Sequence, residues 1–302
     1  MRLASLFLIL ALAAPAADSP RLMALTFDDL PYAGGAGPHA QRATARILVA
    51  LERHRAPAIG FVIEGNLDGP AGSALLRAWL DAGMPLGIHT YSHVDLNRVT
   101  VERFEREILD GETVTRRLMK AKNLELRWFR HPMNHTGDTR EKKEAVERFL
   151  AANGYTVAPH TIENSDFMFM VPYSRALQRN DSVQLERLRS AYLDHTLAAT
   201  AFAENISPKI FGRTIPQILL LHANDINADC LNELLARLEA RGYRFTTLDA
   251  ATADPALRTK DDVVTTYGPT WLWRWSRSLG LGLSFKEDPD PPQWITALYQ
   301  ER

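Results

Sequence analysis

The chain lacks most of the features that would commit it to several common protein classes. It has a single cysteine, Cys230, in 302 residues, so no intramolecular disulfide can form and the folded state depends on its core. Its formal net charge is -1, which gives no broad attraction to nucleic acid or to an anionic lipid surface. No internal repeat and no low-complexity linker is present, which argues against solenoid and disordered architectures. The apolar stretch from Leu6 to Ala14 is too short to span a bilayer comfortably. With Arg2 ahead of it and Ala14 and Ala16 behind, it has the three-part form of a secretory signal, with cleavage expected near Ala16 or Ala17. Residues 1–17 therefore read as a signal peptide of a periplasmic or secreted protein, with no stable membrane anchor after cleavage and no nucleic-acid partner.

What the chain does have is regular alternation. Seven short apolar runs read as buried strands: Leu22 to Phe27, Ala58 to Ile63, Pro85 to His89, Leu126 to Arg130, Tyr155 to Pro159, Gln217 to Leu221 and Tyr243 to Leu248. Between them lie amphipathic helical patterns. Arg42 to Arg55 stops before Pro57, Val101 to Lys122 has Thr100 as its N-cap, and Asp138 to Ala152 opens with Asp138 and Glu141 in capping-box spacing. Strands alternating with helices imply parallel pairing through right-handed crossovers, and seven such units can close a barrel. Residues 18–250 are expected to form this α/β domain. After Ala250 the composition changes: Trp271, Trp273, Trp275 and Trp294 fall in the last stretch, with Pro289, Pro291 and Pro292 close by. Residues 251–302 therefore read as an aromatic-rich extension packed on the barrel, with packing favoured over a sugar platform.

Two strings carry the chemistry. Thr26-Phe27-Asp28-Asp29 closes one apolar run, and His89-Thr90-Tyr91-Ser92-His93 follows another, so carboxylates and imidazoles sit where buried strands give way to loops. Imidazoles four residues apart point the same way if they share a helical turn, and a nearby carboxylate completes a three-ligand site with an open position. Asp29, His89 and His93 are the candidate ligands. A divalent ion held by two nitrogens and one oxygen suits zinc best, while cobalt and other first-row metals are also accepted. His-x-x-x-His alone is a weak signal, since the same spacing recurs at His131 and His135. It gains weight because Asp28-Asp29 ends one strand and Leu219-Leu220-Leu221-His222 ends another.

The ordered segments Thr26-Phe27-Asp28-Asp29, His89-Thr90-Tyr91-Ser92-His93, Arg130-His131-Pro132-Met133, Asn164-Ser165-Asp166 and Leu220-Leu221-His222 resemble the motifs of the polysaccharide deacetylase family, metal-dependent carbohydrate esterases that include chitin, chitooligosaccharide and peptidoglycan deacetylases. The resemblance spans roughly Leu22 to Leu248 and implies a distorted (β/α)7 barrel. By similarity, Asp28 is the general base and Asp29, His89 and His93 hold the metal. Arg130 keeps Asp28 ionised and oriented, His222 is the general acid, and Asp166 is its carboxylate partner. The backbone N–H of Met133 stabilises the oxyanion.

Met133 stands where the family often has tyrosine, and no tryptophan lies near Asp166. Phe167, Phe169 and Tyr173 are candidates for an apolar wall or for core. The glycine-rich stretch from Pro31 to Pro38 follows the catalytic strand and is a candidate cover for a small substrate. The implied activity is removal of N-acetyl or O-acetyl groups from a sugar or polysaccharide. The runners-up are an amidase acting on a small non-sugar substrate and a non-catalytic glycan-binding protein.

Overall fold

The structure is a computed structural model that describes residues 21–301; the expected signal peptide, residues 1–17, lies outside the described residues. Among the described residues, eight strands form one sheet. They are β1 (Arg21–Leu30), β2 (Ala58–Val62), β3 (Leu86–Ile88), β4 (Trp128–Phe129), β5 (Thr156–Val157), β6 (Ile162–Glu163), β7 (Gln217–His222) and β8 (Tyr243–Thr246). Eleven α-helices surround them: α1 (Pro38–Arg53), α2 (Pro70–Asp81), α3 (Val101–Asp110), α4 (Thr113–Ala121), α5 (Arg140–Ala152), α6 (Asp166–Gln178), α7 (Ser182–Phe211), α8 (Asp225–Ala240), α9 (Leu248–Thr252), α10 (Trp271–Ser278) and α11 (Gln293–Gln300). Among the described residues, no helix is long and apolar enough to cross a membrane.

Every strand pairing is parallel. The order is β5-β4-β3-β2-β1-β7-β6, with β8 pairing the first half of β1. β5 and β6 end the path without pairing, so the sheet is a curled, open barrel of the (β/α)7 type. β1 runs through its centre, buried from Met23 to Asp28, and Phe27 packs its ring against Trp79 of α2 with centroids 5.4 Å apart. Parallel strands covered by helices must be apolar on both faces, which is why β1 and β7 read as continuous hydrophobic runs.

Several expectations are corrected by the packing. The seven strands fall at the expected places, but β6 is an eighth, only two residues long, and no apolar run announces it. The pattern from Val101 to Lys122 is two helices, broken at Gly111. A Cβ there would lie 2.5 Å from the carbonyl carbon of Thr90 and 2.6 Å from the nitrogen of Tyr91, so close approach of the His89–His93 segment, not turn conformation, calls for glycine. Thr100 does cap α3, accepting from Arg103 N. In α5 the cap is Thr139, accepting from Lys142 N, one residue after the expected Asp138. α7, thirty residues long, buries side chains from Leu188 to Ile210 because it lies against α6, α8, α10 and β6. A helix covered on several sides has no single apolar stripe to read. Cys230 is a buried residue of α8, and burial pushes its thiol pKa up to about 12.

Candidate metal centre and active-site cavity

β1 places both carboxylates. In a regular strand successive side chains leave on opposite faces, so Asp28 and Asp29 could not both turn to one cavity. Between Phe27 and Leu30 the β1–β2 register shifts, and Asp29 takes a left-handed φ of 64°. This irregularity re-aims Asp29, as bulges beside active sites do, and both aspartates line the same cavity. On the other side of β1, Asp28 pairs in register with His222 of β7.

His89 follows β3. Its Nδ1–H donates to the carbonyl oxygen of Arg130 at 2.8 Å; because a carbonyl only accepts, Nδ1 carries the proton and Nε2 offers its lone pair to the cavity. Burial, reinforced by the neighbouring His93, pushes the His89 pKa down to about 3 and keeps the ring neutral. The His89–His93 segment is not the helical turn expected from its spacing. Thr90 and His93 have φ of 66° and 58°, and the two rings meet edge to face with centroids 4.8 Å apart. The turn between them is held by Glu107 of α3, whose buried carboxylate accepts from Ser92 N at 2.8 Å and Ser92 Oγ at 2.9 Å. Gly65 N donates to Tyr91 O at 2.7 Å from the other side.

Asp29 Oδ1 lies 3.6 Å from both His89 Nε2 and His93 Nε2. One ligand atom from each of the three residues falls within 4.8 Å of the others. Asp29 Oδ1 is buried and has no hydrogen-bond partner, and an anionic oxygen in that state calls for a cation. The donor set of two imidazoles and one carboxylate therefore fits a divalent metal with an open position.

Around this set stand the other candidates. Arg130, fully buried, has its Nε 3.9 Å from Asp28 Oδ1, donates to Thr26 Oγ1 at 2.9 Å and lies over the Phe61 ring. Burial raises the Asp28 pKa from its ordinary value, and the charge of Arg130 opposes that rise. His222 Nδ1–H donates to Asp166 Oδ1 at 2.6 Å, and His222 N donates to Asp166 Oδ2 at 2.8 Å. Asn224 and Asn227 also donate to Oδ2, completing a fully buried carboxylate. Burial disfavours the charged imidazole, yet Asp166 outweighs it and pushes the His222 pKa up to about 10. The Asp166 carboxyl is correspondingly held below its ordinary value: its burial works the other way, and His222 overcomes it.

Met133 sits at the cavity edge with a left-handed φ of 53°. Gly268 of the C-terminal segment packs on it so closely that a Cβ would lie 1.9 Å from Met133 O. The buried guanidinium of Arg274 clamps the same loop, donating to Asn134 O and Thr136 Oγ1, both at 2.9 Å, and to Asp261 at 3.1 Å.

The cavity has a volume of about 850 Å³. Glu163, which the sequence did not single out, faces it from the end of β6. Burial pushes its carboxyl up to about 7, against the opposing hydrogen bond from Ser165 N. Its two-residue strand left no periodic signal. Phe167 lines the cavity, while Phe169 and Tyr173 are fully buried core. The Pro31–Pro38 loop does not line it: Ala33 N donates to Ala223 O and Tyr32 Oη to Asp225, tying the loop to the start of α8. His131 stacks between Phe104 and Phe129, His135 binds Asp95, His160 packs on Trp271 and His195 on Phe169, all away from the cavity.

Residues 16–158 match the family model described as polysaccharide deacetylase. This stretch, just under half of the chain, is similar to that family. Over 94 residues it is 38% identical to a chitooligosaccharide deacetylase of Rhizobium leguminosarum bv. trifolii, an alignment that covers 31% of this chain and spans only 39% of that relative. Among solved structures, a family 4 acetyl xylan esterase from Clostridium thermocellum in complex with a cobalt ion superposes with a TM-score of 0.51 at 20% identity, covering 77% of this chain and 91% of that one. A peptidoglycan N-acetylglucosamine deacetylase matches with a TM-score of 0.51 at 19% identity, over 76% of this chain and 86% of that one. A mutant of a pseudoenzyme of the same carbohydrate esterase family also matches at 0.51, with 17% identity, over 78% of this chain and 68% of that one. At these identities the likeness shows the fold alone, a curled parallel sheet of (β/α)7 type. Because the fold also carries a pseudoenzyme, chemistry must be argued from the residues.

Proposed function

We propose that this protein is a metal-dependent hydrolase that removes acetyl groups, foremost N-acetyl, from a sugar or glycan outside the cytoplasm. The observation that carries the reading is the joint presence, on neighbouring strands and in one cavity, of a buried Asp28 whose Oδ1 accepts no hydrogen bond and an Asp166-paired His222 beside the Asp29–His89–His93 set. A separate base and acid have no use in a module that only binds glycan.

A divalent cation on Asp29, His89 and His93, zinc by preference of the donor set and cobalt as an alternative, would polarise the acyl carbonyl and acidify water. Asp28, raised by burial, accepts the proton of the attacking water. Arg130, in reach of Oδ1 and fixed through Thr26, orients that carboxylate. His222, kept charged by Asp166, passes its proton to the leaving amine as the C–N bond breaks. The N–H of Met133, on the loop clamped by Arg274, is the donor assigned to the developing oxyanion. Export is supported by the signal-like character of residues 1–17.

The test is metal analysis of purified protein together with acetate release from N-acetylglucosamine oligomers, acetylated xylan and small non-sugar amides, with zinc or cobalt added. Turnover on a sugar substrate that is lost on chelation and restored by metal is expected. Turnover only on a non-sugar amide would replace this reading by the amidase.

A further inference from the structure

The family match ends at residue 158, yet about half of the residues lining the cavity belong to the C-terminal segment between Tyr267 and Tyr299. The four tryptophans of this region have separate fates. Trp271 and Trp275 are buried in the core and Trp294 packs under Arg187, but Trp273 faces the cavity. Trp273 meets Tyr267 at 5.6 Å between centroids, and Arg277 packs on the Trp273 ring 5.2 Å from its centroid, so the ring plane is held. Elsewhere in the cavity lining, Phe167 of α6 meets Tyr299 of α11 at 5.9 Å. Tyr267, Phe167 and Tyr299 are each at least 38% exposed, so two aromatic pairs stay wet inside one concavity.

From this arrangement we infer that the C-terminal segment is a substrate-binding wall, with Trp273 and Tyr299 as stacking surfaces for the sugar rings next to the acetyl group being removed. The inference rests on the proposed deacetylase reading and names the specificity element of that site. Asp288, Asp290 and Glu163 line the same cavity. A pyranose suits such a lining because its C–H faces pack on aromatic rings while its hydroxyls donate to carboxylates. A long acyl chain would leave those carboxylates dry and unpaired. The volume of about 850 Å³ lies within the roughly 300–1,000 Å³ typical of small-molecule pockets. The segment thus selects one to a few rings, a short oligosaccharide or a chain end.

The experiment uses the metal-loaded full chain with N-acetylglucosamine and its oligomers of increasing length, and with p-nitrophenyl acetate, an acetyl donor without a pyranose. Expected for the wild type is a kcat/KM that rises over the first added rings and then levels. In Trp273→Ala and Tyr299→Ala, the ratio of kcat/KM on an oligomer to kcat/KM on the aryl ester falls about tenfold, through KM. Trp273→Phe recovers most of the loss, and melting temperatures verify folding. An unchanged ratio in both alanine variants, against an active wild type, overturns the binding wall and leaves the deacetylase reading standing. A wild type inactive on every sugar overturns both.

Discussion

Replacing Asp166 with Asn tests the acid half of the site, because it removes one charge and keeps the shape. In the folded chain His222 is pushed from an ordinary value of 6.5 up to about 10. At 1.36 kcal/mol per tenfold change, this difference corresponds to a few kcal/mol of preference for the charged ring. At pH 7.5 the ring is then almost entirely protonated. Without the carboxylate, burial is the largest remaining influence and drives the value below 6.5, so at most about a tenth of the rings carry the proton at that pH. Loss of the proton donor should lower kcat by roughly 10² to 10⁴, while metal content is kept. The same pair makes a stability prediction. A group raised on folding stabilises fully below its unfolded value, and that contribution disappears as pH rises through the folded value. Wild-type stability should therefore decline between about pH 6.5 and 10, and the Asn variant should lack this decline. Proton titration of His222 by NMR, pH–rate profiles and urea midpoints across that range measure it. A variant whose ring still titrates near the wild-type value, with an unaltered rate, would refute the reasoning.

The base half is probed by Asp28→Asn, expected to lower kcat about 10²- to 10⁴-fold with full metal occupancy; loss of metal instead would make Asp28 a ligand. In Gly111→Ala the added methyl meets the backbone of Thr90 and Tyr91. The His89–His93 turn must shift, and metal affinity measured by competition with a chelator should drop about 10- to 100-fold. Because φ at Gly111 is -82°, the substitution itself causes no backbone strain, so a more stable protein with unchanged affinity would refute the close-approach argument. Arg274→Met leaves Asn134 O and Thr136 Oγ1 without a buried donor. It should cost about 3 kcal/mol in denaturant unfolding and lower kcat more than it raises KM, because the Met133 loop is released.

The parts of the fold that were legible in sequence are those whose burial is two-sided and whose length exceeds a turn. β1, β2 and β7 announced themselves as apolar runs because both their faces are buried. The helices α3 and α5 kept one wet face and so kept their stripe. β6 and α7 were not legible, for opposite reasons: one is two residues long, the other is buried on several sides. In the site, Asp28, Asp29, His89, His93 and His222 were visible as polar residues ending apolar strands. Asp166 could be named only through its resemblance to a known motif, since nothing local says that its carboxyl would meet His222, fifty-six residues away. Glu163 was hidden altogether, and the C-terminal aromatics were legible only as an extension for which packing was favoured over a sugar platform, because what these residues share with Asp29, His89 and His93 is a cavity and not a segment.

The adjacency of Asp28 and Asp29 shows how one strand end supplies two chemically distinct carboxylates. Asp28 is still on the β1 ladder, in register with His222. It is enclosed, its Oδ1 lacks a hydrogen-bond donor, and its affinity for protons is raised. Asp29 has left the ladder through a left-handed φ and meets two imidazoles at equal distances. A regular strand would have sent one of them into the helical layer, where an ionised carboxyl would have no partner. The register shift between Phe27 and Leu30 is thus what allows two successive residues to face one cavity, one enclosed beside His222 and the other set against two imidazoles. Because a non-glycine residue at this φ is strained by about 1 to 3 kcal/mol, the position would tolerate Gly at Asp29 conformationally. A carboxylate in place of Gly there fits a position whose oxygen faces two imidazole nitrogens at 3.6 Å.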